Sequence, residues 1–321
     1  MTGAGLRVVI VHYRAADWLD RTLQALAAQA ADDLEVVVVD NSGELDPGRW
    51  PAVQLLQPGR NLGFAAGCNR GAAGARTPWL AFLNPDLLLE PGALARWREG
   101  AARHPQAALF GLTQIQAERP DRLDGVGDAL SVWGPAWRAL HGAPRAQAPD
   151  EDHETFAVCG AALLIRRELF EALGGFEPRF FCYLEDVDLC LRARLRGQRC
   201  WQIASARGHH LGGVSQGGGR SAFAVYHGAR NGIWLLWRDL PLALWPLSLA
   251  WPLLLGLRSL LRDPPALRAA TWRGLRDGWA AAPRWWWEGR RLPRSLGAAG
   301  LARQLSWHPL APLQRRRHRL D

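Results

Sequence analysis

Apolar and polar positions fall into short, alternating blocks over the first two thirds of the chain. Leu6-Arg7-Val8-Val9-Ile10-Val11 is mostly β-branched and lies between Gly5 and His12, which reads as a buried strand. Leu19, Leu23 and Leu26 recur at helical spacing behind Asp17, a candidate helix cap. Leu34–Val39 is a second strand ending at Asp40-Asn41-Ser42-Gly43, and Val53–Leu56 is a short third. Residues 64–75 are small and Gly/Ala-rich and predict a closely packed helix. Trp79–Leu83 is a strand that stops at Asn84-Pro85-Asp86, and Pro91 opens a helix to about Arg103. Residues 113–155 are polar and irregular and predict a substrate-facing excursion. Order resumes at Phe156–Ile165, with helices over Arg167–Leu173 and from about Glu185 to Arg196, stopped by Gly197. Strands alternating with helices predict an α/β protein with a doubly wound, mostly parallel sheet, whose ligands bind beyond the carboxyl ends of the strands.

From Ile233 the pattern changes. Trp, Leu, Pro and Arg dominate, and residues 240–257 carry no charge but are broken by Pro241, Pro246 and Pro252. All 39 basic residues are Arg, and they are unevenly placed: residues 1–225 hold 23 Arg against 25 acids, whereas residues 226–321 hold 16 against 5, so the net charge of +9 comes wholly from the C-terminal part. A uniformly basic protein would suggest nucleic acid as a partner. A neutral body with a basic, Trp-rich tail suggests an anionic membrane surface and no nucleic acid. Such a tail reads as an interfacial anchor, as a single span, or as an ordinary helical subdomain with a solvated basic face; the prolines argue against the span. The five Cys are odd in number and contain no CxxC, which speaks for a reducing compartment and against a zinc site. Leu6–Val11 is too short to span a membrane, and the N-terminus lacks the layout of a signal peptide.

Four constellations can carry chemistry. Asp40 and Asp86 fall at strand ends, where one carboxylate can read a nucleotide base and the other can bind a hard divalent ion; a lone strand-end Asp is otherwise a turn residue. Asn61–Gly71 spaces Asn and Gly regularly, either to bring N–H groups near phosphate or simply to permit tight packing. Glu185, Asp186 and Asp188 crowd a helix start among aromatic residues. Acids favour helix N-termini, but partial burial would also raise a carboxylate's proton affinity, as a general base requires. His209-His210-Leu211-Gly212-Gly213 offers an imidazole, which with Asp86 suits Mg²⁺ or Mn²⁺ rather than structural zinc.

In order and spacing, Val9–Tyr13, Val37–Ser42, Asn61–Gly71, Phe82–Asp86, Gly160–Arg167, Gly174–Arg192, His210–Ser215 and Arg230-Asn231 resemble the family 2 glycosyltransferases of GT-A fold, in particular the rhamnosyltransferase-like bacterial branch. The resemblance implies a catalytic domain over residues 1–231 and a helical, membrane-associated region over 232–321. It implies that Tyr13, Asp40, Asn61, Gly63 and Asn69 bind the nucleotide. Asp86 and His210 would bind the metal, with His209 the weaker choice. Asp186 would be the inverting general base, with Glu185 and Asp188 beside it. It departs at His12-Tyr13-Arg14, where the family commonly has Asn-Tyr-Asn, and at Asn84, where the metal motif commonly has a first acid. The implied reaction is metal-assisted transfer of a sugar, rhamnose first, from a nucleotide-diphosphate donor to a glycan or polyprenyl-linked acceptor. It would serve cell-surface polysaccharide synthesis at the cytoplasmic face of the inner membrane, the enzyme being peripheral or monotopic. Two rivals are an inactive sugar-nucleotide-binding or scaffold protein and a sugar nucleotidyltransferase. The latter would need a Gly-rich, basic phosphate loop where His12-Tyr13-Arg14-Ala15-Ala16 stands.

Overall fold

A computed structural model describes residues 5–29, 31–212 and 220–320. The first half runs β1 (Leu6–His12), α1 (Ala16–Ala27), β2 (Leu34–Asp40), β3 (Val53–Leu56), α2 (Gly63–Ala72), β4 (Trp79–Leu83), β5 (Leu87–Leu89), α3 (Ala93–Arg103) and β6 (Leu109–Gln116). Then come β7 (Leu123–Gly125), β8 (Asp128–Leu130), β9 (Ala136–Arg138), β10 (His153–Thr155), β11 (Ala162–Arg166), α4 (Arg167–Ala172), α5 (Glu185–Leu195) and β12 (Cys200–His210). The remainder is helical: α6 (Ala222–Asp239), α7 (Trp245–Ser248), α8 (Ala250–Arg262), α9 (Pro265–Gly289), α10 (Ala298–Gln304) and α11 (Ala311–Gln314).

The main sheet has the order β10-β12-β6-β11-β4-β1-β2-β3. Strands β4, β1, β2 and β3 are parallel, β11 runs against both β4 and β6, and β12 is parallel to β6. The sheet is thus the expected α/β arrangement, with an antiparallel insertion at its centre. β1 and β2 read as near-continuous apolar runs because both faces are covered. Leu19, Leu23, Leu94 and Trp97, from α1 and α3, close one face, and α2 closes the other. Gly67 and Gly71 let α2 approach closely: a Cβ at Gly71 would stand 2.4 Å from Val9 Cγ1.

Local readings changed in four places. Asp17 lies in the first turn of α1, not at its cap, which is Ala15. α3 begins at Ala93 behind Gly92, whose φ of 70° turns the chain after Pro91. Residues 113–155 do face a cleft, but they are more ordered than expected: they hold the end of β6 and the short strands β7 to β10, too brief and Gly-interrupted to show a period. The long strand β12, which ends on His209-His210, went unread because Ser205 and Arg207 interrupt its apolar run and its register shifts between Ile203 and Arg207.

The C-terminal helices pack directly on the sheet domain. α6 runs through residues 231 and 232 without a break. Gly274 and Gly278 allow α9 to lie close against it, a Cβ at Gly274 standing 2.5 Å from the Tyr226 carbonyl. Phe180, Trp234 and Trp285 join the two parts in one apolar cluster. The chain end braces the β8–β9 hairpin: Ser306 N donates to the Leu130 carbonyl at 2.9 Å, and Trp137 Nε1 donates to the Arg316 carbonyl at 2.8 Å.

Candidate active site

β2, β1 and β4 are adjacent and parallel, so Asp40 and the Asn84–Asp86 turn sit along one carboxyl edge of the sheet, with the end of β1 between them. Asp40 is 1% exposed, and its lone pairs are taken by the chain itself. Oδ1 accepts from Ser42 N and Oγ, Gly43 N and His12 Nδ1; Oδ2 accepts from Leu45 N and Gln57 Nε2. Because Ala15 N donates to His12 Nε2, the His12 proton is on Nδ1, facing Asp40. Burial alone would raise the Asp40 carboxyl, but the Leu45, Ser42, His12 and Gln57 hydrogen bonds outweigh it and hold it well below the usual carboxylate range. His12 therefore does structural work where the family pattern has Asn. Tyr13, half-buried, follows on the same edge with the Arg14 guanidinium 5.1 Å from its ring.

The Asn/Gly segment serves packing in this geometry. Asn61 Oδ1 accepts from Gly63 N, and Ala65 N donates to the Phe181 carbonyl. Gly63 has φ of 79°, and a Cβ there would meet the Phe181 ring at 2.5 Å. Asn69 grips Phe176 twice, Oδ1 accepting from its N–H at 2.9 Å and Nδ2 donating to its carbonyl at 2.7 Å. Gly63 and Asn69 thus seat α2 against the loop that leads into α5, while Asn61 caps the turn that starts α2. None of them lines the large cleft, nor do Tyr13 and Asp40.

That cleft, of about 800 Å³, is lined by Asn84, His210 and Gly212 on one side and Tyr183, Glu185 and Asp186 on another. Asp86, behind Asn84, accepts from Gly212 N at 3.0 Å, and its Oδ1 lies 3.5 Å from His210 Nε2. His210 Nδ1 donates to Asp124 at 2.9 Å. Burial opposes charge on His210, but the Asp124 and Asp86 carboxylates outweigh it and push the imidazole up to about 9. A carboxylate that fixes Nδ1–H and turns Nε2 towards a second carboxylate is the arrangement that orients a metal-binding His. Asp86 and His210 therefore suit a hard divalent ion completed by phosphate and water, the ion taking the place of the Nε2 proton, with the Asn84 amide 3.1 Å from that nitrogen. His209 points elsewhere and pairs with Glu90 at 3.2 Å. Ser215 lies outside the described residues.

The three acids of α5 separate. Asp186 is half-buried at the cleft, its Oδ2 accepting from Gly160 N at 2.7 Å and Oδ1 from Val187 N at 2.8 Å. Glu185 is buried at the cleft, and its Oε2 has no partner among the described residues. Burial, then the Asp186 charge, pushes the Glu185 carboxyl well up. Asp188 does not line the cleft; it is fully buried in ion pairs with Arg192 at 2.6 Å and Arg238 at 3.0 Å.

The loop before these acids is strained. Phe181, Tyr183 and Leu184 all have φ between 65° and 72°, a region that non-glycine residues rarely occupy. Arg230 and Asn231 of α6 hold it. Asn231 Nδ2 donates to the carbonyls of Phe180, Cys182 and Tyr183 at 3.0, 2.9 and 2.7 Å, and Arg230 Nη2 donates to those of Arg179 and Phe180.

The sequence marked residues 113–155 as substrate-facing but did not single out the residues that line the cleft there. Asp124, Asp128 and Arg138 line it, with Arg138 donating to Asp124 and to Cys159 Sγ. Ligand atoms of Asp128, Cys159 and Asp186 lie within 4.8 Å of one another, but the Arg138 guanidinium already brings a positive charge among them, 3.7 Å from Asp128. Asp86 and His210 are the better metal candidates. Burial, only partly offset by Arg138, pushes Asp128 up to about 7. The one available signal was the density of charge in an otherwise Gly/Ala/Trp-rich stretch.

The family model for glycosyl transferase family 2 matches residues 7–174, just over half of the chain. An N-acetylglucosaminyl-diphospho-decaprenol L-rhamnosyltransferase of Mycobacterium tuberculosis is 29% identical over 301 residues, covering 84% of this chain and 97% of the relative. GalNAc-T7, solved with UDP, GalNAc and Mn²⁺, superposes with a TM-score of 0.60 at 15% identity over 85% of this chain and 54% of its own. The mannosyltransferase PcManGT of Pyrobaculum calidifontis, solved with GDP-Man and Mn²⁺, gives 0.53 at 19% identity, covering 92% and 77%. These structures show the GT-A type of fold.

Two outcomes are expected. Asn231→Ala removes the amide donor that the Phe180, Cys182 and Tyr183 carbonyls of a strained loop share. It should cost about 1–3 kcal/mol of stability in thermal or urea unfolding, and catalytic rate should fall more than donor affinity. Asp40→Asn should lower Tm at neutral pH. The folded Asp40 carboxyl lies below its ordinary value of 3.8, so its contribution is complete above that value and is lost as the pH falls below it. The Tm gap between the native protein and the variant should therefore shrink below about pH 4; a gap that widens in acid would contradict this.

Proposed function

The chain belongs to glycosyl transferase family 2, and on that premise we propose that it is an inverting rhamnosyltransferase acting on a polyprenyl-diphosphate-linked acceptor in cell-surface polysaccharide synthesis. The carrying observation is a single cleft lined both by a partly exposed, rigidly held carboxylate, Asp186, and by His210, whose Nε2 lies 3.5 Å from the buried Asp86 carboxylate. The M. tuberculosis relative, similar over nearly its whole length, supports the choice of sugar and acceptor class.

In this reading an acceptor hydroxyl gives its proton to Asp186 as its oxygen attacks the anomeric carbon, and the bond to the nucleoside diphosphate breaks on the opposite side. The Gly160 and Val187 N–H groups fix both Asp186 oxygens, so the base does not have to be organised during the reaction. Asp86 and His210 would hold Mg²⁺ or Mn²⁺, which offsets the charge of the leaving diphosphate. Asp40 acts at the nucleotide end by holding the Asp40–Leu45 turn in shape beside Tyr13. Gly63 and Asn69 act through α2, by seating the loop that carries the acids, and Asn61 shapes the turn at the start of α2. Asp188 anchors α5.

The membrane part rests on α8. Leu242–Arg262 is long and apolar enough to cross a membrane by length and composition. It is nevertheless broken into short segments, and Pro252, Gly256 and Ser259 of α8 are buried against protein. Leu253, Leu254, Leu257, Leu260 and Leu261 form the opposite stripe at helical spacing, each at least half exposed, flanked by Arg258 and Arg262. This face suits a helix lying in an anionic interface, on the cytoplasmic side where nucleotide sugars are supplied.

Detergent-purified enzyme would be offered deoxythymidine-diphosphate-rhamnose and a panel of uridine-diphosphate hexoses, with Mg²⁺, Mn²⁺ or chelator. Asp186→Asn should lower turnover by about 10²- to 10⁴-fold while keeping donor affinity. Asp86→Ala should abolish the response to metal. Donor binding without turnover in the native chain would favour the inactive scaffold. For the membrane, the native protein should float with phosphatidylglycerol vesicles, and a Leu253→Asp/Leu257→Asp variant should stay with the soluble fraction. Equal flotation of the two would remove α8 as the contact.

A further inference from the structure

The hairpin wall of the cleft carries a carboxyl that neither the proposed proton transfer nor the proposed metal site uses. Asp128 begins β8, is 7% exposed and lines the same cleft as Asp186. Its Oδ1 is enclosed yet has no hydrogen-bond partner among the described residues. The nearest cation, Arg138 Nε, stands 3.7 Å away and is directed by its Nη1 to Asp124 and by its Nη2 to Cys159. Buried carboxyls without partners are costly, so such a group in a ligand cleft points to a partner that arrives with the ligand. The Asp128 and Asp186 carboxyls, with Cys159, present ligand atoms within 4.8 Å of one another. Two hydroxyls on neighbouring carbons of a sugar ring, each donating a hydrogen bond of about 2.7 Å, suit two acceptors at that separation.

We propose that Asp128 is an acceptor-specificity residue: it accepts a hydrogen bond from a hydroxyl next to the one that Asp186 deprotonates, and so selects which hydroxyl of the acceptor sugar receives the glycosyl group. This rests on the transferase reading given above. Asp128 stays a hydrogen-bond acceptor throughout, so no bond forms or breaks at it. Arg138, paired with Asp124, holds the hairpin edge on which Asp128 stands, and the Ser306 and Arg316 backbone contacts brace that hairpin from behind.

The test uses full-length enzyme in detergent, deoxythymidine-diphosphate-rhamnose, and N-acetylglucosaminyl-diphospho-farnesol as a soluble acceptor. Monodeoxy versions of that acceptor are run beside it. Donor affinity and donor hydrolysis by water are measured in parallel. For the native enzyme, one deoxy acceptor that still keeps its reacting hydroxyl should lose about tenfold or more in kcat/KM. Asp128→Ala, which removes the accepting oxygens, should lose a similar factor on the parent acceptor, through KM, with donor affinity unchanged. It should lose little further on that deoxy acceptor, because the same contact has already gone. If no deoxy acceptor is impaired with the native enzyme, the proposal is wrong whether or not the variant folds. If the losses of Asp128→Ala and the deoxy acceptor multiply, or if donor binding falls with acceptor binding, Asp128 is a structural residue. If the native enzyme transfers to no acceptor in the set while turning over donor, the acceptor reading itself fails and this inference falls with it.

Discussion

The site depends on a short stretch of backbone held where it would not settle alone. Phe181, Tyr183 and Leu184 occupy the left-handed region without being glycines, each at a cost of about 1–3 kcal/mol. What they gain is direction: the chain reverses sharply enough to start α5 at the cleft, with Glu185 and Asp186 in its first turn. The carbonyls exposed by that reversal are answered by Asn231 and Arg230 from α6. Gly63 and Asn69 press α2 against the same loop from the other side. The loop is thus over-determined by two helices, one from each part of the chain, and the acids inherit that rigidity.

Charge at the cleft is arranged by neighbours rather than by exposure. Asp124 joins both ends of the arrangement, accepting from His210 on one side and Arg138 on the other. Arg138 balances the hairpin acids, and Asp86 faces the imidazole that Asp124 has turned. In contrast, Asp40 and Asp188 look like site residues in the sequence but are consumed by their surroundings, one by a tight turn and the other by two arginines.

How much of this could be read from the sequence follows from physics. β1, β2 and β4 were legible because strands buried on both faces must be continuously apolar. Asp86, Asp186 and His210 stood out as candidates because strand ends and a helix start leave a mark in local sequence; Asp186 and His210 line the cleft, and Asp86 is paired with His210. The regular glycines of α2 were ambiguous between phosphate binding and packing, because both demand the absence of a Cβ; only the position of Val9 and Phe181 separates them. Asp124, Asp128 and Arg138 did not stand out, because three-residue strands have no period and the contacts from Ser306 and Arg316 that brace their hairpin come from more than 170 residues away.

The C-terminal helices do more than cover the sheet. Trp285 packs on Phe180, Glu288 pairs with Arg179, and Trp251 fills the space above Gly232, one residue from Asn231. The helix α8, with its exposed leucine stripe, is therefore in mechanical continuity with the loop that starts α5. The consequence is one for recombination. A chimera joined after residue 231, where composition suggests a seam, would divide α6 and set one parent's strained loop against another parent's Trp285 and Glu288. A join that keeps Arg179 and Phe180 with α6 and α9 would preserve these contacts.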